Sequence, residues 1–193
     1  MENGLSNNMT SSNFERITDH IIQFHHQRTR QYIHIASVLM SEIKSDRQAM
    51  SLVGLDWKLH TFITEIRAHL DHEEVVLFPA CVGLDLEKGM CRSYVDPMSL
   101  MQIIHTLSEG HTRTFDALSE LIYLSHTLDF ARSPAVGTLQ SIFRDLREDL
   151  GEHGRLEEEV LLPAILHFQM HQPKENLAKS SGSFVVSRKM VQL

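Results

Sequence analysis

Residues 69–80 read HLDHEEVVLFPA and residues 153–164 read HGRLEEEVLLPA, so one motif occurs twice at a spacing of 84 residues. Seven of the twelve positions are identical, whereas about one would match by chance at ordinary amino-acid composition. Both copies place a glutamate four residues after a histidine and end in V-L-x-P-A. The repeat predicts that the chain consists of two related halves.

The spacing within each copy indicates a metal-binding pair on a helix. Residues four apart lie on the same helix face, one turn from each other. His69 with Glu73, and His153 with Glu157, can therefore each direct an imidazole nitrogen and a carboxylate oxygen towards one site. Imidazole and carboxylate together are typical ligands of divalent and trivalent transition metals.

Size and charge restrict the class of protein. The chain has 193 residues, of which 42% are hydrophobic and 22% charged, and this is enough for one compact domain. A formal charge of −7 disfavours nucleic acid or an anionic membrane as a partner, because both require a concentrated basic surface. Two cysteines, Cys81 and Cys91, are too few for a disulfide framework or a tetrathiolate zinc site, so both are interpreted as ordinary thiols.

No targeting or membrane segment is recognisable in the sequence. The first sixteen residues contain no apolar stretch typical of a signal peptide. Nowhere do about eighteen apolar residues run together, as a membrane-spanning helix would require. A cytoplasmic protein is therefore expected.

Apolar residues recur at helical spacing in four long segments, and the predicted fold class is all-α. The predicted helices cover 13–44, 52–86, 97–128 and 134–169, and Pro79 is expected to bend or end the second. Asp96-Pro97 and Ser133-Pro134 each combine an N-cap residue with proline at the first helical position. The predicted organisation is a flexible segment at 1–13, a helical bundle at 14–170 and a flexible tail at 171–193.

The predicted turns lie midway between four histidines: His26, His69, His111 and His153. The midpoints fall between residues 47 and 48, at residue 90, and at residue 132. Short connections make successive helices antiparallel neighbours, so an up-down-up-down four-helix bundle would bring these histidines to one level of its core. The neighbouring His25 competes with His26, because adjacent helical residues point about 100° apart and only one can face the core squarely.

Four histidines and two glutamates at one level of a core are hard to explain without metal. Buried charge is costly unless it is paired or bound to a metal. Two metals fit this set better than one, since carboxylates can bridge ions about 3.5–4 Å apart and leave positions open for an exogenous ligand. The donor types favour iron, with manganese or zinc as substitutes, and the lack of thiolates disfavours copper(I) and structural zinc.

Four segments resemble the hemerythrin-like HHE cation-binding domains: FHHQRTR at 24–30, HLDHEEVVLFP at 69–79, LSEGH at 107–111 and HGRLEEEVLLP at 153–163. The resemblance spans about residues 14–170 and is strongest to the repair-of-iron-centres branch. It implies two non-haem irons bridged by carboxylate and oxo groups. The ligands it implies are His26, His69, Glu73, His111, His153 and Glu157. The family pattern H-x-x-x-R, which His26 and Arg30 reproduce, favours His26 over His25.

The same resemblance implies a function in nitrosative and oxidative stress and in iron-sulfur cluster repair. The expected partners are a small diatomic or peroxide ligand at the irons and iron-sulfur proteins that accept iron. Two alternatives use the same site. One is an oxygen or iron sensor or store that signals to a partner through the tail, and the other is catalase-like turnover of peroxide.

Three positions depart from related patterns. Oxygen-carrying hemerythrins have a further histidine one turn after the third-helix ligand, where this chain has Phe115. They also end the last motif with an aspartate five residues after its histidine, whereas Glu157 follows His153 by four. These two differences disfavour reversible oxygen storage. The repair branch usually has glutamate directly before its third-helix histidine, where this chain has Gly110, so no role of that glutamate can be transferred.

Several neighbours of the ligand set are given simpler roles. His72 is expected at the surface, and His105 either at the surface or in contact with a ligand side chain. Glu74 and Glu158 are expected to face solvent or neighbouring helices, with orientation of a ligand imidazole as the alternative. Four apolar residues are expected to pack the end of the bundle: Leu77, Phe78, Leu161 and Leu162.

Overall fold

The protein is described here by a computed structural model covering residues 11–46, 50–82, 84–85, 90–91, 97–128, 133–163 and 165–166. Helix α1 comprises Ser11–His20, Ile21–His26 and Gln27–Asp46, and helix α2 comprises Met50–His72, Glu73–Leu77 and Phe78–Val82. Helix α3 is Pro97–His126, and helix α4 comprises Pro134–Leu156 and Glu157–Leu161 with helical backbone continuing at 162–163 and 165–166. The predicted all-α class with four long helices is confirmed for the described part of the chain.

The four helices form an antiparallel bundle in which α1 and α3 each pack between α2 and α4. The direction of α2 relative to α1 follows from two ion pairs. Lys44 near the end of α1 lies 2.7 Å from Asp56 near the start of α2, while Arg30, earlier in α1, lies 2.7 Å from Glu74, later in α2. The predicted up-down-up-down arrangement is therefore present.

Helices α3 and α4 run antiparallel in the same way. Gln140 near the start of α4 donates a hydrogen bond to the carbonyl of Ser125 near the end of α3 at 2.9 Å. At the other end of this pair, His111 of α3 lies 3.1 Å from Glu158 of α4. The two halves of the chain thus repeat one helical hairpin, as the sequence motif predicts.

Two apolar clusters fill the core, and a polar layer separates them. The larger cluster extends along the bundle and includes Ile33, Phe62 and Phe143. The smaller cluster closes one end and includes Phe14, Leu107 and the buried Cys81. The four residues predicted to pack the bundle end contribute to this smaller cluster: Leu77, Phe78, Leu161 and Leu162.

Three of the helices contain a turn of π-helix at the level of the polar layer: Ile21–His26, Glu73–Leu77 and Glu157–Leu161. A π-turn inserts extra backbone into an α-helix and changes which residues face inward, and such turns are frequent at functional sites. Sequence periodicity did not predict them, because a 3.6-residue pattern averages over a single inserted residue.

The prediction that the second helix continues to residue 86 is wrong. Helix α2 ends at Val82, and β1, Leu84–Asp85, then pairs antiparallel with β2, Met90–Cys91. Gly83 directly follows the helix in the sequence, and glycine disfavours a helix interior. Pro79 does not end the helix, since it lies inside Phe78–Val82, immediately after the π-turn.

The remaining boundaries are close to their predicted positions. Helix α1 begins at Ser11, two residues before the predicted start, and α4 begins at Pro134 with Ser133 as its N-cap. Residues 1–10, the turn positions 47–48 and 132, and the predicted tail 171–193 lie outside the described residues. None of the helices among the described residues is long and apolar enough to cross a lipid bilayer.

Candidate metal centre

The structure brings all six predicted ligand side chains together in the polar layer, and Glu73 of α2 lies at its middle. Glu73 Oε1 lies 2.7 Å from His69 Nε2 and 3.6 Å from His111 Nε2. Glu73 Oε2 lies 3.2 Å from His26 Nε2 and 3.6 Å from His153 Nε2. One carboxylate therefore faces imidazoles from all four helices.

Glu157 of α4 occupies the equivalent position in the second half of the chain. Its Oε2 lies 2.9 Å from His111 Nε2, and its Oε1 lies 3.3 Å from His153 Nε2. Glu73 and Glu157 are both fully buried. The two carboxylates thus lie between one pair of imidazoles, His26 with His153, and another pair, His69 with His111.

This geometry divides the donor atoms into two groups that share a ligand. His26, Glu73 and His153 form one group, and His69, Glu73 and His111 form the other, with the donor atoms of each group within 4.8 Å of one another. A carboxylate common to two groups is suited to bridge two metal ions. The arrangement can therefore accommodate a pair of cations, with Glu157 as a second bridge.

The lack of hydrogen bonds to several of these atoms fits metal ligation. Both oxygens of Glu73 and of Glu157, together with Nε2 of His69 and His111, are buried and make no hydrogen bond among the described residues. The contact of 2.7 Å between His69 Nε2 and Glu73 Oε1 is short but misaligned for hydrogen bonding. Buried polar groups normally have a partner, and each one without costs about 1–3 kcal/mol. These atoms converge on the same positions, so they are suited to bind the same metal cations.

The electrostatics of the metal-free centre also favour binding of a metal cation. Burial raises the pKa of the Glu73 carboxyl, but the imidazoles of His111, His26 and His69 outweigh burial and hold that pKa well below its usual range. Burial lowers the pKa of His111, but Glu157 and Glu73 together raise it to about 10. The centre is therefore a negative carboxylate site that recruits a proton onto His111 when no metal is bound, and a metal cation would replace that proton.

The second glutamate of each repeat orients an imidazole of the preceding helix. Glu74 Oε1 lies 2.7 Å from His26 Nδ1, and Glu158 Oε1 lies 3.1 Å from His111 Nδ1. Arg30 donates a hydrogen bond to the same oxygen of Glu74 at 2.7 Å. A carboxylate at Nδ1 directs Nε2 of the ring into the site and raises its basicity. Both glutamates thus face a neighbouring helix, as expected, and Glu158 is also 50% exposed. Their contacts support the alternative role as well, which is orientation of a ligand imidazole.

His25 and His26 are both buried, although a regular helix would turn only one of them inward. The π-turn that contains both residues accounts for this. His26 reaches the centre, whereas His25 Nδ1 lies 3.1 Å from Asp149 Oδ1 and its ring stacks on that of His153 at 5.9 Å between centroids. Arg28 donates a hydrogen bond to the same oxygen of Asp149 at 2.9 Å.

Sequence reasoning missed this second polar cluster of His25, Arg28 and Asp149. A usable signal exists for one member, since Asp149 precedes His153 by four residues and so lies on the same face of α4. The π-turn itself leaves no recognisable pattern in a single sequence. His105 is exposed, as predicted, and lies 3.7 Å from Glu109. His72 is half-buried and its Nε2 has no hydrogen-bond partner among the described residues, so it is not the simple surface residue expected.

Cys81 lies directly behind the centre, in the smaller apolar cluster. Burial and the negative charge of Glu157 raise the pKa of its thiol to about 12. The thiolate is the reactive form of cysteine, so this residue is inert at neutral pH. The interpretation of Cys81 as an ordinary thiol agrees with this environment, while the side chain of Cys91 lies outside the described part.

Comparison with curated proteins finds similarity to iron-sulfur cluster repair proteins named YtfE. The chain is 28% identical over 159 residues to that of Enterobacter sp. (strain 638), which covers 78% of this chain and 65% of the relative. It is 28% identical over 160 residues to that of Salmonella schwarzengrund, with the same coverage. It is 26% identical over 174 residues to that of Escherichia coli (strain SMS-3-5), covering 86% of this chain and 72% of the relative.

The similarity extends over most of this chain, and it confirms the resemblance to proteins of iron-centre repair. The match spans slightly less than two thirds of the length of the first two relatives, at 65%. No protein-family profile matches the chain. No solved structure matches it either.

Proposed function

We propose that this protein is a non-haem di-iron protein that acts in iron-sulfur cluster repair under nitrosative and oxidative stress. The observation that carries the proposal is the shared carboxylate Glu73, whose two unpartnered oxygens each face a different pair of imidazoles. Iron is the metal best matched to imidazole and carboxylate ligands with positions left open. The similar proteins are named for iron-sulfur cluster repair, which supports the choice of process.

One iron would be held by His26 and His153, and the other by His69 and His111. Glu73 and Glu157 would bridge the two. When bound, such a pair supplies redox capacity and open coordination positions for a small ligand such as nitric oxide or peroxide. The six side chains belong to all four helices, so the bundle itself fixes their separation.

The chain's own residues shape this site from two sides. Glu74 and Glu158 hold the rings of His26 and His111 in the orientation that directs Nε2 inward. The smaller apolar cluster, which includes Leu77 and Leu161, packs below the centre and keeps water from that side. Exclusion of water there strengthens every electrostatic interaction within the centre.

The two iron positions would differ in accessibility. The side chains of His26 and His153 are 0% and 2% exposed, whereas those of His69 and His111 are 11% and 12% exposed. An iron held by His69 and His111 lies nearer to solvent. Donation of iron to a damaged cluster would start from this outer position, with cytoplasmic iron-sulfur proteins as acceptors.

The proposal is tested by measuring iron per chain in freshly purified protein and in two histidine variants of α3. His111→Ala should lower the iron content, because it removes a ligand that faces both bridging carboxylates. His105→Ala is the matched control, since His105 lies on the same helix but is exposed. Equal iron content in the wild type and His111→Ala would refute the proposal. Loss of cluster repair without loss of iron in His105→Ala would assign the activity to another site.

A further inference from the structure

The outward face of α2 is apolar and exposed in the half of the helix that lies away from the candidate metal centre. Val53 is 69% exposed, and Trp57, the single tryptophan of the chain, is 61% exposed. These two residues are one turn apart, so they lie on one face of the helix. The opposite face of the same segment is also apolar, since Leu55 and Leu59 are buried in the core. A helix that is apolar on both faces is normally covered on both faces.

Charge distinguishes this face from the surface of α4. Among the described residues of α2 between positions 53 and 64, none of the exposed ones carries a formal charge when histidine is counted as neutral. On α4, every exposed residue between positions 144 and 159 is charged. A neutral face can be covered without burying an unpaired charge. We name the exposed residues of the first segment the α2 outer face: Val53, Gly54, Trp57, His60 and Thr64.

The Trp57 ring lies against an ion pair that links α2 to α3. Lys58 Nζ lies 5.4 Å from the centroid of the Trp57 ring. The same Nζ lies 2.6 Å from Glu120 Oε2 of α3. The indole is therefore supported by a neighbouring side chain while it projects outward, and a rigid aromatic group loses little conformational entropy on binding. Tryptophan is also among the residues that contribute most to affinity at protein interfaces.

Gly54 leaves a gap beside the indole. A Cβ atom at position 54 would lie more than 4 Å from every atom of the described residues outside its own stretch of helix. Packing within the chain therefore does not require glycine here, although glycine is unfavourable in a helix interior. Tyr123 of α3 is 71% exposed and lies at about the level of Gly54, one turn beyond the ion pair of Lys58 with Glu120. We name this gap the Gly54 notch.

The projecting indole and the Gly54 notch are self-complementary, because they lie one turn apart on the same helix. A two-fold axis that crosses α2 at right angles between residues 55 and 56 places Trp57 of each copy opposite Gly54 of the other. The same axis places Val53 opposite the aliphatic stem of Lys58. Each copy of the chain thus supplies both halves of the contact, so a second copy fits this face.

Charge and area also agree with a second copy as the partner. Each chain carries a formal charge of −7, so two copies can associate closely only through a face that does not bring acidic residues together. The α2 outer face meets this condition. From residue 53 to residue 64 the helix rises about 17 Å, and two such faces with their flanking side chains bury roughly 800–1,000 Å² in total. This area is typical of a weak complex, with a dissociation constant on the order of 10–100 µM.

We propose that the α2 outer face is the interface of a two-fold symmetric homodimer, in which Trp57 of each copy occupies the Gly54 notch of the other. The two α2 helices then pack antiparallel. Trp57 precedes His69 by twelve residues, so the interface lies about 18 Å along the helix from the candidate metal centre. The dimer leaves that centre uncovered in both copies. This inference goes beyond the proposed function and does not depend on the metal.

The first test uses the fluorescence of Trp57, which reports on the interface because the chain has no other tryptophan. As the protein concentration rises from about 1 to 300 µM, emission should shift to shorter wavelength and quenching by acrylamide should weaken, because the dimer buries the indole. Emission typical of an exposed indole at every concentration would overturn the proposal. A shift that is independent of concentration would assign the face to another segment of the chain, and one that requires phosphatidylcholine vesicles would assign it to a membrane; both results would also overturn it.

The second test is the dissociation constant of the dimer, measured by sedimentation equilibrium. Trp57→Ser should raise this constant by about thirtyfold, as expected for a central tryptophan of an interface. Val38→Ser is the matched control and should keep the wild-type value. Val38 is 54% exposed and follows His26 by twelve residues, so it lies at the same level of the bundle but on α1. Equal effects of the two substitutions, or no effect of Trp57→Ser, would contradict the proposed interface.

The third test separates association from folding. In Gly54→Gln the new side chain meets nothing within its own chain and favours the helix, so the unfolding temperature of the dilute protein should not fall. The same side chain fills the Gly54 notch, so the dissociation constant should rise by about tenfold or more. Thr138→Gln, at an exposed position of α4, is the control and should leave association unchanged. A Gly54→Gln protein that dimerises as tightly as the wild type would refute the proposal.

Discussion

At the scale of single residues, the two adjacent glutamates of each motif have different roles. Glu73 and Glu157 face the centre, whereas Glu74 and Glu158 reach across to a histidine of the preceding helix. The HxxxE spacing was sufficient to predict the inward pair. It could not decide the role of the outward pair, because that depends on which helix lies beside the motif.

The outward glutamates should therefore tune metal affinity without holding the metal. Glu74→Gln and Glu158→Gln are each expected to weaken iron binding by about 10–100-fold while the helical content is unchanged. Competition with a chelator of known affinity measures the change. Glu109→Gln, on the exposed face of α3, is the control and should leave the affinity at the wild-type value.

The pKa of His111 predicts how the stability of the metal-free protein depends on pH. Its pKa is raised from 6.5 to about 10, so its stabilising contribution is complete below pH 6.5 and is lost as the pH rises towards 10. The pKa of Glu73 is lowered, so its contribution is present above pH 4.5 and is lost as the pH falls below that value.

Urea unfolding of the metal-free wild type and of His111→Ala, at a series of pH values, measures whether stability changes with pH in this direction. The difference in unfolding free energy between the two proteins should shrink between pH 6.5 and 10. A difference that grows over this range would contradict the environment described for His111. The affinity of the protein for metal should instead increase with pH, because metal competes with protons for the ligands.

At the scale of helices, the sequence predicted the long helical segments but not their local irregularities. Apolar periodicity and the proline-marked starts identified four helices, and Pro134 begins α4 at the predicted residue. The three π-turns were not predictable, because a 3.6-residue apolar pattern averages over a single inserted residue. One consequence is that His25, expected to compete with His26, is buried in a separate polar cluster with Asp149.

The two adjacent histidines should consequently differ in the effect of substitution. His26→Ala should lower iron content, because His26 Nε2 lies among the ligand atoms. His25→Ala should keep the iron but destabilise the protein by about 1–3 kcal/mol, since Asp149 then loses a buried partner. Iron analysis combined with thermal unfolding distinguishes the two. Loss of iron in His25→Ala with full iron in His26→Ala would reverse the assignment.

At the scale of the whole molecule, the proposed metal centre is also a structural junction. Its candidate ligands come from all four helices and lie between the two apolar clusters. The metal-free polar layer is therefore a weak level of the bundle, with several buried atoms that lack hydrogen bonds. Metal binding should connect the helices there and contribute directly to folding stability.

Removal of metal by a chelator should lower the unfolding temperature. Free metal at 100 times its dissociation constant stabilises a folded protein by about 2.7 kcal/mol, so a clear shift is expected. Calorimetry of loaded, stripped and reloaded protein measures it, and reloading should restore the original value. Identical unfolding temperatures in all three states would show that the polar layer does not hold metal in the folded protein.

Iron per chain in the wild type, Glu73→Ala and Glu159→Ala measures whether two irons share Glu73. About two irons are expected in the wild type. Glu73→Ala should retain less than one, because this carboxylate belongs to both donor groups. The exposed Glu159, which pairs with Arg155, is the control and its variant should keep both irons. One iron or none in the wild type, or two irons in Glu73→Ala, would show that Glu73 does not bridge a di-iron centre.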